Sequence, residues 1–366
     1  MALAELVIPF GDPRDDQLPL EELIRKGERR LIQENIVARA GSSALYVRPW
    51  RKAGVRAGPP RTLDELQRWP LISGADWLQA QSAFPLGRLF VEAPRLWVSS
   101  AARGNTRKWV PYGERDLREI MGLANRMSRL VQLNPCDRVL IVTGPAPRAG
   151  NALPYLWAMA DMLSGGRHLE FIPGSMATLK HSNWPIFASR MKPAVLWASM
   201  ADALALRQPL LEAGWPVAGS AAPTATPRKG LFFGHAMGED RAALEHAYDL
   251  EAFSLYFSAE FPVLAVECPA HQGLHLWLDA CLPEILPRAE LERERSQAGY
   301  QPQAIWLTSA AEGEEGELVA TTFSQSLPLV RYRTGDLVRM VSASPCSCGC
   351  THPRIEALGR MEPGAG

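Results

Sequence analysis

The sequence predicts an α/β protein built on a mostly parallel sheet covered on both faces, followed by a β-rich lobe. Three observations carry that prediction. Short apolar runs recur at intervals of roughly 25 to 30 residues through the middle of the chain, with amphipathic helical patterns between them. Past residue 260 the helical patterns give way to closely spaced strand-like runs. Of the 366 residues, 47% are hydrophobic, which is enough for a substantial core.

Taken in order, residues 18–50 read as helix, through "LPLEELIRKGERRLIQENIVARA", followed by Pro- and Gly-rich turns and the short amphipathic piece "RTLDELQRW". The run "WVSSAARGNTRK" comes next, loop-like and rich in serine, glycine and cations. A long amphipathic helix follows through "ERDLREIMGLANRMSRLVQL". The runs "DRVLIVTG", "HLEFIP", "PAVLWAS", "GLFFGH" and "AFSLYFSAE" read as strands, and "ALPYLWAMADML", "ASMADALALRQPLLEAG" and "DRAALEHAYD" as helices between them. Such alternation places ligands at the carboxyl ends of the strands. Beyond it, "HLWLDACLPEIL", "QAIWLTS", "GELVATTF" and "LVRYRTGDLVRMV" read as strands joined by tight turns, and "GRMEPGAG" as a loose tail.

Lysine plus arginine equals aspartate plus glutamate at 39 each, so charge gives no reason to propose nucleic acid or an anionic membrane as partner. The expected ligand is small. No run approaches ~20 consecutive apolar residues, and the acidic start "MALAELVIPFGDPRDD" lacks a basic leader, so the chain reads as cytoplasmic. Six cysteines are few for this length, and three of them, Cys346, Cys348 and Cys350, fall within five residues. That spacing argues for metal over disulfides in a reducing compartment.

Together, "SLPLVRYRTGDLVRM", "PCSCGCTHPRIEALGR" and "SLYFSAE" resemble the phenylacetate-CoA ligase branch of the adenylate-forming superfamily, as do "ENIVARAGSSALYVRPWRKAGV" and "LDELQRWPLIS". The resemblance implies a large adenylate-forming domain of mostly parallel sheets flanked by helices, with a zinc-bearing β-rich lobe. Its expected divisions are a leading helical segment over 1–95, an α/β part over 96–260, a β-rich part over 261–360 and a hinge remnant over 361–366. The family's C-terminal lid, about a hundred residues long, is expected to be absent, either by truncation or as in single-domain relatives of phenazine-type pathways.

The implied activity is ATP-dependent conversion of a carboxylic acid to its acyl-adenylate. By resemblance, Asp336 takes both ribose hydroxyls, a task suited to a carboxylate that accepts two hydrogen bonds. Arg360 reaches the ribose and α-phosphate, Tyr256 stacks on adenine, and Glu260 holds Mg²⁺ beside the phosphates. Gly234, His235 and Ala236 match the family's adenine contacts. Phe257 and Ala259 depart from the family pattern, which has glycine and a hydroxyl residue there.

Against the family's phosphate loop, Ser99, Ser100 and Gly104 match, while Ala101, Ala102, Arg103 and Asn105 replace a glycine, two threonines and the lysine. Ala101 resists a positive φ by roughly 1 kcal/mol. The cations Arg103, Arg107 and Lys108 could restore phosphate attraction. Ser99, Ser100, Arg103, Gly104 and Lys108 are therefore the candidate phosphate contacts, and a basic surface loop is the alternative. Branch members also carry zinc on a cysteine, a histidine and a Cys-x-Cys pair, which here implies Cys268, His275, Cys346 and Cys348, with His271 and His352 as alternative ligands and Cys350 extra.

Tyr155, Trp157, Trp197 and Met237 would line a pocket suited to a flat aromatic acid, and could equally be core. Three functions remain open on the sequence: an acid-activating enzyme that hands its product to a reductase, acyltransferase or carrier protein; a degenerate ligand-binding scaffold; and an ATP-independent acyl transferase.

Overall fold

The computed structural model describes residues 9–10, 12–55, 60, 62–101, 107–143, 149–163, 168–175, 190–212, 227–234, 237–238, 240–261 and 265–361. Its first elements are α1 (Leu20–Gln33), α2 (Ile36–Ala40), α3 (Ala44–Lys52), α4 (Leu63–Gln67), α5 (Gly74–Ala83), β1 (Leu96–Ala101), β2 (Arg107–Tyr112) and α6 (Glu114–Leu130). Next come β3 (Arg138–Thr143), α7 (Ala149–Leu163), β4 (Glu170–Ser175), β5 (Val195–Ser199), α8 (Met200–Glu212), β6 (Lys229–Phe233), α9 (Asp240–Tyr248), β7 (Glu251–Tyr256) and β8 (Ala265–Glu267). The last are β9 (Leu274–Leu276), β10 (Cys281–Pro287), α10 (Arg288–Ser296), β11 (Ile305–Trp306), β12 (Glu315–Thr322), β13 (Tyr332–Ser342) and β14 (Arg354–Arg360). The fold is mixed α/β, with sheets flanked by helices.

The chain divides into two compact units, one holding residues 118–274 with the N-terminal tip, the other residues 12–117 and 275–366. The divisions read from the sequence are contiguous stretches. In the structure the leading helical segment instead shares a unit with the last β-strands, and the physical tie is visible. Ile72 N–H donates to Arg331 O at 3.0 Å, and Ile72 bridges Tyr332 of β13.

In the first unit, β3 to β7 are parallel, in the order β7-β6-β5-β3-β4, and β8 closes the edge antiparallel to β7. Side chains alternate between its faces. Leu196, Ala198 and Phe232 point to one face and pack with Met200 and Leu206 of α8 and Leu244 and Tyr248 of α9. Trp197 and Phe233 point to the other, where they meet each other and Trp197 meets Trp157 of α7, which in turn packs on Phe171 of β4. Helices therefore cover both faces, as the alternating pattern requires.

In the second unit the strands run in the order β11-β10-β12-β13-β14-β9, antiparallel through β14, with β1 and β2 forming a separate antiparallel pair. The helix expected over 18–50 is three helices. Asn35 adopts a left-handed conformation, φ 51°, which ends the first run, and Ser43 starts α3 by accepting from Leu45 N–H at 3.3 Å. Arg331, also left-handed at φ 51°, sits buried against Glu284 with Nη2 2.7 Å from Oε2, and donates to the carbonyls of Gln67 and Trp69. A guanidinium that satisfies a carboxylate and two carbonyls can be buried at tolerable cost.

Candidate functional site

Each unit contributes a distinct set of the residues nominated by the sequence. In the first, β7 delivers Tyr256 at its carboxyl end, and a tight turn follows. Ser258 N–H donates to Phe261 O at 3.0 Å, while Ser258 Oγ accepts from the N–H groups of Glu260 and Phe261 at 3.2 Å each. This turn holds Glu260 in a buried position. Gly234 directly follows β6 with φ 118°, a conformation L side chains rarely adopt, so glycine is favoured there. His235 and Ala236 lie outside the described residues.

Phe257, read from the sequence as a departure from pattern, is a structural participant. Its ring lies 5.9 Å from Trp197 at an interplanar angle of 22° and 4.7 Å from Phe233. Of the four residues expected to line an acid pocket, Trp157 and Trp197 are fully buried with rings 5.6 Å apart. Met237 packs in the cluster on the opposite sheet face, and Tyr155 is 55% exposed. The structure thus brings two of the four together and separates the others.

In the second unit the run expected as a loop is mostly strand. Ser99 pairs with Trp109 and Ser100 with Lys108, and Arg107 Nη1 donates to Ser99 Oγ at 3.3 Å. Arg103 and Gly104 lie outside the described residues. Lys108 turns inward: its Nζ donates to Tyr332 Oη at 2.8 Å and sits 5.7 and 5.5 Å from the ring centroids of Trp77 and Tyr332. An ammonium so enclosed is held by cation–π attraction as well as by the hydroxyl. Tyr332 drew notice only as part of "RYRTGDL", and Trp77 carried no functional signal in the sequence.

Asp336 and Arg360 stand opposite each other across β13 and β14, and Arg360 Nη1 donates to Asp336 Oδ1 at 2.9 Å. Gly335 allows this approach. Its φ is 77°, and a Cβ there would meet Arg360 Nη2 at 3.2 Å. Glu317 reinforces the turn by accepting from Gly335 N–H at 2.9 Å and from Arg333 Nε at 2.7 Å. Burial pushes the Glu317 carboxyl up, and Arg333 opposes that shift. A cleft of about 1510 Å³ opens beside these residues, lined among others by Lys108, Glu317, Arg333, Gly335 and Arg360.

The second unit also assembles most of a metal-binding set. Ligand atoms of His275, Cys346 and Cys348 lie within 4.8 Å of one another, with Cys348 Sγ 3.5 Å from His275 Nε2. Tetrahedral zinc, with bonds of about 2.3 Å to sulfur and 2.0 to 2.1 Å to nitrogen, sets such a pair roughly 3.6 Å apart. His275 Nδ1 lies 3.1 Å from His352 O, a contact that places the proton on Nδ1 and presents Nε2 to a metal. Cys346 N–H donates to Cys350 O at 3.0 Å, closing the turn that carries the Cys-x-Cys pair. Cys268, buried, follows β8 in the first unit, seven residues before His275 along the chain.

No family model matches the chain. Over 309 residues it is 24% identical to the phenylacetate-coenzyme A ligase of Escherichia coli, covering 81% of this chain and 62% of that one. Over 127 residues it is 31% identical to the phenylacetate-coenzyme A ligase of Thermus thermophilus, covering 33% of this chain and 25% of that one. The chain therefore spans less than two thirds of these relatives. Among solved structures, an open conformation of 2-hydroxyisobutyryl-CoA ligase with 2-HIB-AMP and CoA superimposes with a TM-score of 0.78 at 19% identity, over 95% of this chain and 72% of that one.

The chain therefore shares the fold of that acid-CoA ligase. In sequence, the chain is similar to the phenylacetate-coenzyme A ligases over the stretches given above.

Proposed function

We propose that the chain activates a carboxylic acid with ATP: a carboxylate oxygen attacks the α-phosphorus, the bond to the β-phosphate bridge breaks, and pyrophosphate leaves as the acyl-adenylate forms. The observation that carries this reading is the Asp336–Arg360 pair, which the β13–β14 register sets face to face. Asp336 offers two acceptor oxygens to a ribose diol, and Arg360, its side chain 62% exposed, can swing a bidentate donor toward the α-phosphate. Glu260 supplies the oxygen ligand that Mg²⁺ favours, and the cations at β2 supply charge for the phosphates. The adenylate then passes to an acceptor, either CoA or a partner such as a reductase, acyltransferase or carrier protein.

Zinc, bound by His275, Cys346 and Cys348 with Cys268 as the fourth ligand implied by the sequence, serves structure, since four protein ligands leave no open position. The aromatic character of the acid rested on four lining residues. Trp157, Trp197 and Met237 pack as core, and with them that support falls away. A second reading, a relative that binds ligand or transfers acyl groups without ATP, draws support from Ala101 and Ala102 in the phosphate stretch.

Calorimetric titration with AMP and with Mg-ATP tests the proposal. Micromolar AMP binding is expected in the unaltered chain, with its loss in Asp336→Ala and an unchanged circular dichroism spectrum. Equal AMP affinity in the two proteins removes Asp336 from the site, and no affinity in either leaves the second reading standing.

A further inference from the structure

We infer that Phe257 is a specificity-determining residue whose ring closes the acyl end of the parallel sheet to flat aromatic acids. The inference rests on the carboxylate-activation reading. Phe257 directly follows Tyr256 at the carboxyl end of β7 and stands three residues before Glu260, the end of an open α/β sheet where ligands enter.

Three rings from three neighbouring strands meet there. Phe257 lies nearly parallel to Trp197, with centroids 5.9 Å apart and planes at 22°, and it touches Phe233 at 4.7 Å, while Phe233 and Trp197 are 5.6 Å apart. All three spacings fall in the range in which aromatic pairs attract. Trp197 is fully buried, whereas Phe233 and Phe257 are half-buried and form the outer members of the stack.

The platform beneath is held firmly. Trp157 sits 5.6 Å from Trp197 and 5.1 Å from Phe171, and its indole N–H donates to Ser128 Oγ at 2.7 Å. Trp197 therefore has little freedom to retreat. A flat acid would need an apolar platform on which to stack, and the ring of Phe257 already occupies that face. The same argument makes the ring replaceable, because removing it bares a surface that the phenyl group of a ligand can cover in its place.

The test is calorimetric binding of phenylacetate to the full chain and to Phe257→Ala. At least tenfold tighter binding is expected in the variant. Equal affinity, or no phenylacetate binding in a variant whose near-ultraviolet dichroism shows it folded, overturns the inference. Should Phe257→Ala fail to fold, Phe257→Leu keeps apolar bulk without a flat ring and is expected to gain affinity in the same direction; no gain there overturns it equally. The AMP titration described above is independent of this comparison. Absence of AMP binding would sink the activation reading while the phenylacetate contrast still decides whether Phe257 guards the stack.

Discussion

Lys229 shows how one buried charge can make stability depend on pH. Its Nζ donates to Val131 O at 2.6 Å, lies 4.8 Å over the Phe253 ring and is 3.6 Å from Glu251 Oε2. Burial lowers its pKa, and Glu251 only partly opposes the shift. The folded chain therefore sheds this proton more readily than the unfolded chain. The stability so contributed is complete above the ordinary lysine pKa, about 10.4, and is lost as pH falls through the lowered folded value. Lys229→Met keeps the apolar stem and removes the titration. Denaturant unfolding from pH 8 to 10.5 should show the unaltered chain gaining stability relative to the variant as pH rises, and a constant difference would refute the assignment.

At the scale of elements, one carboxylate joins a helix start to a distant turn. Asp116, in the first turn of α6, accepts from Gly113 N–H at 2.9 Å, Gln325 N–H at 2.6 Å and Ser326 N–H at 3.1 Å. Asp116→Ala orphans three amides around a buried position, and a loss of about 3 to 5 kcal/mol is expected by denaturant titration. Asp116→Asn keeps one acceptor oxygen and should lose about half as much, so equal losses would point to packing as the cause. Nothing local in "GERDL" announces this role, because Gln325 and Ser326 lie more than two hundred residues away. The strands β3 to β7 and helices α6 to α9 were legible for the opposite reason: each carries its own apolar period, and that period is a local property. The hairpin of β1 and β2 was not, since cations and serines mask the alternation that buries Val98, Lys108 and Val110. The helical run over 18–50 hid two breaks because a left-handed Asn35 leaves the apolar period nearly intact. Among the candidate site residues, Asp336 and Arg360 were legible as a pair only through family resemblance, and their contact comes from strand register.

At the scale of the whole molecule, each compact unit owns a core, so the units need not answer alike to one perturbation. The first holds the cluster of β3 to β7 with α8 and α9, and the second holds, among others, Leu286, Leu291, Ala304 and Val319. Of the proposed zinc ligands, His275 in β9 and Cys346 and Cys348 in the turn that joins β13 to β14 belong to the second. That turn also reaches the leading segment, where Thr351 N–H donates to Asp16 O at 2.9 Å. Removing a structural metal should therefore loosen the β13–β14 turn while the Trp157–Trp197 pair of the first unit keeps its near-ultraviolet signal. The purified chain is expected to carry one zinc, and a strong chelator should lower the melting temperature of the second unit by roughly 5 to 10 °C, the response to about 2 to 3 kcal/mol in a unit of this size. Thiol labelling gives the matching chemical readout: Cys136, exposed, reacts in the native protein, Cys348 reacts only after chelation, and Cys281, whose thiol burial pushes up, stays inert in both. Metal-free protein with unchanged melting and a Cys348 that labels from the outset would show that the cluster holds itself together without an ion. In that case the β13–β14 register, and with it the placement of Asp336 against Arg360, would rest on the strand ladder alone.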